Sequence, residues 1–495
     1  MSALNTSLLD TLPPALEPPT YDRDTVTAGI VHIGIGHFHR AHQAMYLDHL
    51  LREGDGNWAI WGVSMRADAA TESFAAQDHL YTLTEKHPDG TKQTRVIGSI
   101  IGFDSAADGT SAVLERLADT RTRIVTLTVT EGGYGIDHST GLFSGVDDPA
   151  ITADLAQPGS ARSWLGLLVA AFRLRKDQGS GPVTVLSCDN IQDNGSVTRE
   201  AVLSFATRVA PDLLEWIQEN VTFPGSMVDR VVPGTTDADR EYLRDAFDLE
   251  DSWAVTAEPF SQWVVEDRFA GGRPALEKAG VNMVSDVAPY ERMKLRLANG
   301  VHQALCFFGR LLNHEYVHEA IADPDIHRLL IRYVDEQAVP SLEPIPGVDF
   351  RAWGRTVISR FGNPQLGDPV ARITAETSDR IPKFVLPVVT DLVAMGHDTS
   401  VCAAIIASWA RYAQGTDEQG AAIIIKDPRA AKVEAAARAD LDDPGVFLDQ
   451  DLFGGLSTDP GFRTAFIHTR TALNADGARI VLQRLAVAAP AVGAM

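Results

Sequence analysis

The sequence predicts an α/β fold, with an N-terminal domain built on a doubly wound parallel sheet and a mostly α-helical C-terminal domain. From residue 29 to residue 289, short runs rich in Val, Ile, Thr and Trp alternate with helical stretches, which is the pattern of a parallel sheet. After Pro289 this alternation gives way to long segments with 3.6-residue periodicity. The 495 residues are too many for one core, so we predict two domains, residues 1–286 and 287–495.

The first domain contains four strand candidates, each short and rich in β-branched residues. They are residues 29–34, 58–64, 124–130 and 182–188. The helical stretch 39–52 connects the first two, as in a βαβ unit. Two further runs, 79–84 and 93–97, flank a His-Pro-Asp-Gly turn and predict a β-hairpin inserted into this sheet.

Composition and charge limit the class of protein. Apolar residues make up 45% and charged residues 22%, as in a globular chain. A net charge of −23 disfavours binding to nucleic acid or to an anionic membrane. The three cysteines are far apart in sequence, and neither a signal-peptide pattern nor an apolar run of about 20 residues is present. We therefore expect a cytoplasmic protein with a small-molecule partner.

The first strand ends in a glycine turn, Gly34-Ile35-Gly36, and a helix follows within a few residues. Glycines at this point allow a tight turn and let the backbone approach a pyrophosphate at a helix N-terminus. His39 stands where the third glycine of the usual fingerprint would be. We interpret the turn as the dinucleotide site of a Rossmann-like domain, with a purely structural turn as the alternative.

Two charged residues beyond the second strand bear on the choice of cofactor. Asp68 would bind a ribose 2′-hydroxyl and so favour NAD, whereas Arg66 would pair with a 2′-phosphate and favour NADP. Asp68 lies farther from Gly34 than the usual spacing of about 20 residues, which requires a long intervening helix and loop. We predict NAD, with NADP as the alternative.

Two histidine patterns raise metal-dependent alternatives. His37 and His39 resemble the HxH pair of amidohydrolases, but no histidine follows at the end of a later strand. Residues 314–318 form a literal HExxH, which on one helix face would bind zinc. No third histidine follows at the metzincin spacing, although Glu336 stands at a distance that a thermolysin-like enzyme would use. We predict no metal site.

The segment 289–306 predicts a helix that carries chemistry. At 100° per residue, Glu291, Asn299 and His302 fall within about 140° of Lys294. The apolar residues cluster on another arc and predict the core face. They are Met293, Leu297, Val301, Ala304 and Leu305. A helix of this kind fits the wall of a partly buried cleft.

Oxidation of an alcohol accounts for these residue types. Hydride leaves the carbon only as the hydroxyl group loses its proton, so a base is needed. The developing alkoxide needs hydrogen-bond donors, which asparagine and histidine provide. A lysine can be the base only if its pKa falls from about 10.4 toward neutrality, through burial or a nearby positive charge. A solvated lysine on a surface helix is the alternative.

Several segments together resemble the polyol-specific long-chain dehydrogenases, a family whose members include mannitol 2-dehydrogenase and fructuronate reductase. The resemblance spans most of the chain. The matching segments are 34–43 (GIGHFHRAHQ), 130–134 (TEGGY), 187–190 (SCDN), 258–263 (EPFSQW), the Lys294-x4-Asn299-x2-His302 helix, 360–364 (RFGNP) and 372–373 (RI).

The resemblance implies a role for each residue of the predicted catalytic site. Lys294 would be the general acid/base, and Asn190 and Asn299 would bind the oxyanion. His302 would orient the substrate. Glu291, at the entrance of a cleft between the two domains, would assist proton exchange with solvent.

The resemblance also implies the binding residues. Asp229 and Arg372 would bind substrate hydroxyls. Family members often have a lysine where Arg380 stands, so the counterpart here is Arg380 or, alternatively, Lys383. The implied cofactor-binding residues are Gly34, Ile35, Gly36, His37, Phe38, Arg66, Asp68, Thr130 and Glu131.

The activity implied by the resemblance is metal-independent, NAD(P)-dependent oxidation of mannitol or a similar polyol to the ketose, by a monomeric enzyme. Fructose would be the product from mannitol. The main rival is reduction of a keto-uronate such as fructuronate, which would use the same base and cofactor. A non-catalytic nucleotide sensor is a third hypothesis, but it would leave the arc around Lys294 without a purpose.

Overall fold

The computed structural model describes residues 2–65, 69–136, 142–146 and 148–487. The chain divides into two compact units, Met1–Ala288 and Pro289–Met495. Within the described residues the first unit contains all of the named strands, and the second consists of helices and isolated β-bridges. No described helix combines the length and the apolar character that crossing a bilayer requires.

A six-stranded parallel sheet forms the centre of the first unit. Its strand order is β10-β9-β8-β3-β4-β7, which is the 3-2-1-4-5-6 order of the doubly wound fold. The predicted fold class is confirmed. The described strands are β1 (Ser2–Ala3), β2 (Leu16–Glu17), β3 (Ala28–Ile33), β4 (Ala59–Ser64), β5 (Tyr81–Lys86), β6 (Lys92–Ile97), β7 (Ile100–Ser105), β8 (Ile124–Leu127), β9 (Val183–Ser187), β10 (Val221–Thr222), β11 (Ser226–Asp229), β12 (Leu249–Glu250), β13 (Val255–Ala257), β14 (Gln262–Glu266) and β15 (Asn282–Val284).

Three smaller sheets accompany the parallel one. The predicted hairpin is present as antiparallel β5 and β6, but it belongs to a separate sheet of order β13-β5-β6-β2. The prediction that it enters the parallel sheet is therefore wrong. The reason is that β13, far along the chain, pairs with β5, and a local pattern does not reveal such a partner. The other sheets are β11-β14-β15 and β1-β12.

Both faces of the parallel sheet are buried, but by different kinds of element. Val31 and Ile33 face a core that α4, α6 and α7 cover. Ile30 faces a second core, which α1, α2 and strands of the smaller sheets cover. The helices of this unit are α1 (His37–Ala41), α2 (Gln43–Arg52), α3 (Ala69–Ala76), α4 (Ser111–Ala118), α5 (Pro149–Ala156), α6 (Trp164–Gln178), α7 (Asn194–Val209), α8 (Leu214–Asn220) and α9 (Asp237–Phe247).

The second unit packs helices around α18, which is buried at almost every position and lies against α21. Its helices are α10 (Ala288–Lys294), α11 (Gly300–Leu311), α12 (Val317–Ala322), α13 (Pro324–Arg332), α14 (Phe350–Phe361), α15 (Val370–Ile373), α16 (Thr377–Phe384), α17 (Leu386–Ala394), α18 (Ser400–Tyr412), α19 (Ala430–Ala439), α20 (Gln450–Phe453) and α21 (Pro460–Val487). Two π-helical segments, Leu295–Asn299 and Tyr333–Ala338, complete it.

The helix predicted for residues 289–306 is present, but it is not uniform. A π-helical segment, Leu295–Asn299, separates α10 from α11. The predicted core face is confirmed, because its five apolar side chains are all buried. The Gly300 amide donates to the Leu295 carbonyl, five residues back, so the carbonyl of Arg296 loses the partner that an α-helix would give it.

A tyrosine from the other π segment satisfies that carbonyl. The Tyr333 hydroxyl donates to the Arg296 carbonyl oxygen at 2.9 Å, and Tyr333 is fully buried. A Cβ at Gly300 would overlap the Tyr333 hydroxyl, so only glycine allows this approach. The π turn therefore depends on Gly300 and Tyr333 together.

We expect Gly300→Ala to destabilise the protein by about 2 kcal/mol, because the methyl group overpacks against Tyr333. Helix propensity alone would predict the opposite change in stability, because it favours alanine over glycine by about 1 kcal/mol. Urea denaturation measures the change. Gly461→Ala at the beginning of α21 is the matched control, since a methyl there meets nothing closer than 3.5 Å. Equal stabilities for the two variants would contradict the account of the π turn.

Candidate active site

The glycine turn lies at the switch point of the parallel sheet, where the carboxyl ends of β3 and β8 are neighbours. Gly34 has φ 99°, and a Cβ there would overlap the Thr128 carbonyl oxygen. The Thr128 hydroxyl also donates to the Gly34 carbonyl at 2.6 Å. A Cβ at Gly36 would meet nothing closer than 4.0 Å. The first glycine is thus required by the fold, and the second leaves the backbone open to a ligand.

A stacked pair of histidines replaces the third glycine of the fingerprint. The ring centroids of His39 and His32 are 3.3 Å apart and the rings are nearly parallel. His32 is fixed by Thr126 Oγ1 at 2.8 Å and by the Gly34 carbonyl at 2.9 Å. The third glycine normally permits close packing of helix on strand. Two flat rings in contact allow a comparable approach.

The remaining predicted cofactor residues of this turn follow Gly34 in different environments. Ile35 packs over Gly62, where a Cβ would overlap its side chain. Phe38 stacks on His42, with ring centroids 5.0 Å apart. Partial desolvation and the charge of Arg40 lower the pKa of His37. The predicted residues Arg66 and Asp68 lie outside the described residues.

The predicted residues Thr130 and Glu131 begin the next loop, which follows β8. Thr130 has φ 70° and ψ 159°, a rare conformation for a β-branched residue, and Glu131 starts a short 3-10 helix. The Asp189 carboxylate accepts the amide protons of Val129 and Thr130, both at 3.0 Å. Burial raises the pKa of Asp189, and these hydrogen bonds oppose the rise. The predicted residue Asn190 follows it and is exposed.

The predicted substrate residue Asp229 is buried at the end of β11. Its neighbour Arg230 is also buried and donates to the carbonyl oxygens of Ala41 and Glu258 and to the carboxylate of Glu85. These bonds tie the end of β11 to the helix that follows the glycine turn. Asp229 therefore lies next to a residue whose hydrogen bonds join three segments of the first unit.

The second unit presents the predicted lysine and its companions. Lys294 and Glu291 are buried, whereas Asn299 and His302 are half-buried. The uniform 100° spacing assumed from the sequence fails over Leu295–Asn299, because a π turn takes more residues per turn. Asn299 and His302 are therefore rotated back toward the direction of Lys294 relative to a regular α-helix.

His302 has an unusual environment. Its ring stacks on Phe361 with centroids 3.7 Å apart, and its Nε2 atom has no hydrogen-bond partner within the described residues. Burial first, and then four neighbouring cations, hold the pKa of His302 well below its usual value. Those cations are Arg372, Arg360, Arg380 and Lys294. A neutral imidazole with an unpaired nitrogen can donate to or accept from a hydroxyl group.

The predicted substrate cations lie near each other and are partly paired. Both oxygens of Asp368 accept from the Arg372 guanidinium, at 2.6 and 2.5 Å. Arg380 donates to the Arg372 carbonyl at 3.3 Å and lies 3.5 Å from a Glu376 oxygen. Lys383, the alternative counterpart, is exposed on the same helix as Arg380.

The HExxH pattern lacks the geometry of a zinc helix. Helix α12 begins at Val317, so His314 and Glu315 precede it, and His314 Nε2 lies 3.3 Å from Asp323 Oδ2. The other pattern is no better placed, because His39 is enclosed against His32. Across the described ranges, no group of three or more His, Cys, Asp or Glu side chains is arranged to hold a metal ion.

Two residues that act on predicted site residues were not themselves predicted as site residues: Asp189 in the first unit and Arg360 in the second. Asp189 carries a usable signal, since it directly follows a predicted strand, where polar residues of parallel sheets meet ligands. Arg360, which lowers the pKa of His302, precedes the ring on which His302 stacks. Its role depends on the packing of α14 against the π segment, which no local pattern reveals.

The strand order and the glycine turn at the switch point are those of a Rossmann-type oxidoreductase domain. The chain belongs to the mannitol dehydrogenase family. The Rossmann-domain model of that family matches residues 28–278, and its C-terminal-domain model matches residues 286–474. The family resemblance predicted from the sequence is confirmed.

Three relatives show how far the similarity extends. Mannitol 2-dehydrogenase of Cereibacter sphaeroides is 40% identical over 474 residues, 95% of this chain and 98% of its own. The ternary complex of Pseudomonas fluorescens mannitol 2-dehydrogenase with NAD and D-mannitol is 40% identical, with a TM-score of 0.85, and the match covers 98% and 99% of the two chains. A substrate-free D-sorbitol dehydrogenase is 36% identical, with a TM-score of 0.91, and the match covers 97% of this chain and 100% of the other.

The two glycines of the turn predict different outcomes for the same substitution. Gly36→Ala should leave the urea midpoint unchanged, because the methyl group meets nothing within the protein, but should weaken NADH binding about tenfold or more by blocking the backbone. Gly34→Ala should lower the midpoint, since its φ is positive and Thr128 is in the way. Fluorescence titration with NADH measures the binding. Wild-type affinity in Gly36→Ala would contradict the assignment of the turn.

Stability should fall as the solution is acidified below pH 6.5. Burial lowers the pKa of His32 and His42 to about 3 and that of His39 well below its usual value. The unfolded chain binds protons at these groups near pH 6.5, so below that pH it is favoured by up to about 1.4 kcal/mol per pH unit for each histidine. The raised pKa values of Asp189 and Asp251 act in the opposite sense, so the slope is a net value.

Urea midpoints at pH 8, 7, 6 and 5 measure this slope. The midpoint should change little between pH 8 and 7 and should drop clearly between pH 6 and 5. The same midpoint at pH 7 and 5 would contradict the expected net loss of stability in acid.

Proposed function

We propose that this chain is an NAD-dependent polyol dehydrogenase that oxidises mannitol or a similar sugar alcohol to the ketose, fructose in the case of mannitol, with Lys294 as the general base. The observation that carries the proposal is the match over 98% of the chain to a mannitol 2-dehydrogenase solved with NAD and D-mannitol. The residues described above are proposed to supply the groups that this reaction needs.

We place the cofactor at the glycine turn of the first unit. Gly36 leaves the backbone open at the switch point, as the approach of a pyrophosphate requires. Bound NAD would accept the hydride from the alcohol carbon. The residues proposed to hold it are Gly34, Ile35, Gly36, His37, Phe38, Thr130 and Glu131, with Asp68 on the ribose. NADP is the alternative, with Arg66 as the partner of its 2′-phosphate.

Lys294 is proposed to take the proton of the reacting hydroxyl. Lys294 is 6% exposed, and a lysine accepts a proton only as the uncharged amine, so the proposal requires Lys294 to lose its charge when cofactor and substrate are bound. Glu291, one turn earlier and also buried, is proposed to return the proton to solvent. This pair separates the chemical step from exchange with water.

The alkoxide that develops on the substrate oxygen needs donors that are already in place. Asn299 follows Lys294 across the π turn, and its amide is proposed to donate to that oxygen. Asn190 is proposed for the same role. The neutral His302, with an unpaired Nε2 atom, is proposed to orient the substrate by a hydrogen bond.

The substrate's other hydroxyl groups are proposed to bind Asp229, Arg372 and Arg380. Both oxygens of Asp368 engage the Arg372 guanidinium, which leaves that charge largely balanced. A keto-uronate would favour an unbalanced cation for its carboxylate. This pairing favours an uncharged polyol. The cations around His302 are the observation that keeps a fructuronate reductase as the second candidate.

A cofactor-reduction assay against mannitol, sorbitol and arabinitol, with NAD and with NADP, tests the proposal. We expect NADH formation with at least one polyol, and fructose as the product from mannitol. A parallel assay offers fructuronate with NADH. Turnover of the uronate alone would replace the proposed substrate with the rival one.

The same assay tests the base. Lys294→Ala should lose a factor of about 10² to 10⁴ in kcat, which is the usual contribution of a general base, while NADH binding stays near the wild-type value. Lys278→Ala, at an exposed position of the first unit, is the matched control and should keep full activity. A Lys294→Ala variant with wild-type kcat would remove Lys294 from the mechanism.

A further inference from the structure

We propose that Asp189 is a positioning residue for cofactor binding, and that it works by holding Thr130 in a strained backbone conformation. The proposal rests on the proposed function, because it assigns the loop after β8 to the cofactor. Asp189 stands at the carboxyl end of β9, and Thr130 stands at the carboxyl end of the neighbouring β8.

The Asp189 carboxylate accepts three hydrogen bonds from that loop. Oδ2 accepts the Val129 amide proton at 3.0 Å and the Tyr134 hydroxyl proton at 2.7 Å. Oδ1 accepts the Thr130 amide proton at 3.0 Å. Hydrogen bonds to a carboxylate are stronger than neutral ones. One side chain therefore fixes both the start and the end of the segment from residue 129 to residue 134.

The tyrosine is itself held in place by its neighbours. Tyr134 is fully buried, and its hydroxyl lies 2.7 Å from Ser187 Oγ as well as from Asp189. Burial first, and then the charge of Asp189, raise the pKa of Tyr134 well above its usual value, so the hydroxyl keeps its proton and donates it to the carboxylate. The serine hydroxyl then donates to the tyrosine oxygen. This chain of bonds orients the carboxylate toward the loop.

The loop needs these hydrogen bonds to Asp189 because the backbone of Thr130 is strained. Thr130 has φ 70° and ψ 159°, a region that is open to glycine but costly for a β-branched side chain. Strain of this kind persists only where the surroundings impose it, and it clusters at ligand sites. The hydrogen bonds from the amides of Val129 and Thr130 to the Asp189 carboxylate hold Thr130 in this conformation.

The hydrogen bonds of Asp189 act on a loop that adjoins the glycine turn of the proposed cofactor site. The strand before Thr130 pairs with the strand before the glycine turn, and Thr128 bonds to Gly34. Releasing the amide of Thr130 would let the loop relax away from the geometry in which it meets the cofactor.

A double-mutant cycle on NADH binding tests this assignment. Asp189→Asn keeps the shape of the side chain but replaces an acceptor oxygen with a donor, so we expect the Kd for NADH to rise about tenfold. Thr130→Gly removes the strain, because glycine adopts a positive φ without cost. In the Thr130→Gly background, Asp189→Asn should raise the Kd by less than threefold.

A role that is merely structural would give the same factor in both backgrounds, and that additive result would overturn the proposal. Kinetics supply a second readout: Asp189→Asn should raise the KM for NAD far more than it lowers kcat, and an effect confined to kcat would also overturn it. If Asp189→Asn does not fold, Tyr134→Phe replaces it in the cycle. That variant deletes one of the three donors and should show the same background dependence with a smaller factor.

The two proposals fail in different ways. NADH binding is measured directly and needs no substrate. If wild-type protein binds NADH but oxidises no polyol, the proposed activity is wrong, and the cycle still decides the role of Asp189. If wild-type protein oxidises polyols and the cycle is additive, the activity stands and the role of Asp189 is refuted.

Discussion

The close approach of the turn after β3 to the end of β8 is the constraint on which the first unit depends. No side chain fits at Gly34, because the Thr128 carbonyl occupies the space, and the Thr128 hydroxyl bonds back to the glycine. His32 Nε2 donates to the Gly34 carbonyl oxygen at 2.9 Å. Because the two loops at the switch point are hydrogen-bonded to each other, a displacement of one loop would shift the other. Asp189 extends this constraint to β9.

The second unit solves a different problem, which is how to hold a lysine and its companions on one helix. A π turn costs the helix a regular hydrogen bond, and such turns occur frequently at functional sites. Here the cost is met locally, because Tyr333 bonds to the carbonyl that the turn releases and Gly300 leaves room for it. The irregularity is thereby stable, and it adjusts the direction of Asn299 relative to Lys294.

Electrostatics follow from these two arrangements. The histidines under the glycine turn are buried, so they are neutral packing groups with depressed pKa values. His302 is neutral for two reasons. It is buried, and the positive charges of its neighbours, the arginines and Lys294, oppose protonation of its ring. The site of the second unit is rich in cations but holds its imidazole uncharged, and the pairing of Arg372 with Asp368 moderates the field that a substrate would meet.

The sequence by itself determined the class of fold, the glycine turn, the core face of the helix around Lys294 and the family, because periodicity and local motifs specify each of these. Only the tertiary structure decided the rest. The second sheet depends on β13 pairing with β5, the π turn on Tyr333, and the neutrality of His302 on Arg360 and its neighbours. Each of these contacts joins residues that are distant in sequence. A pattern of neighbouring residues carries no information about such contacts.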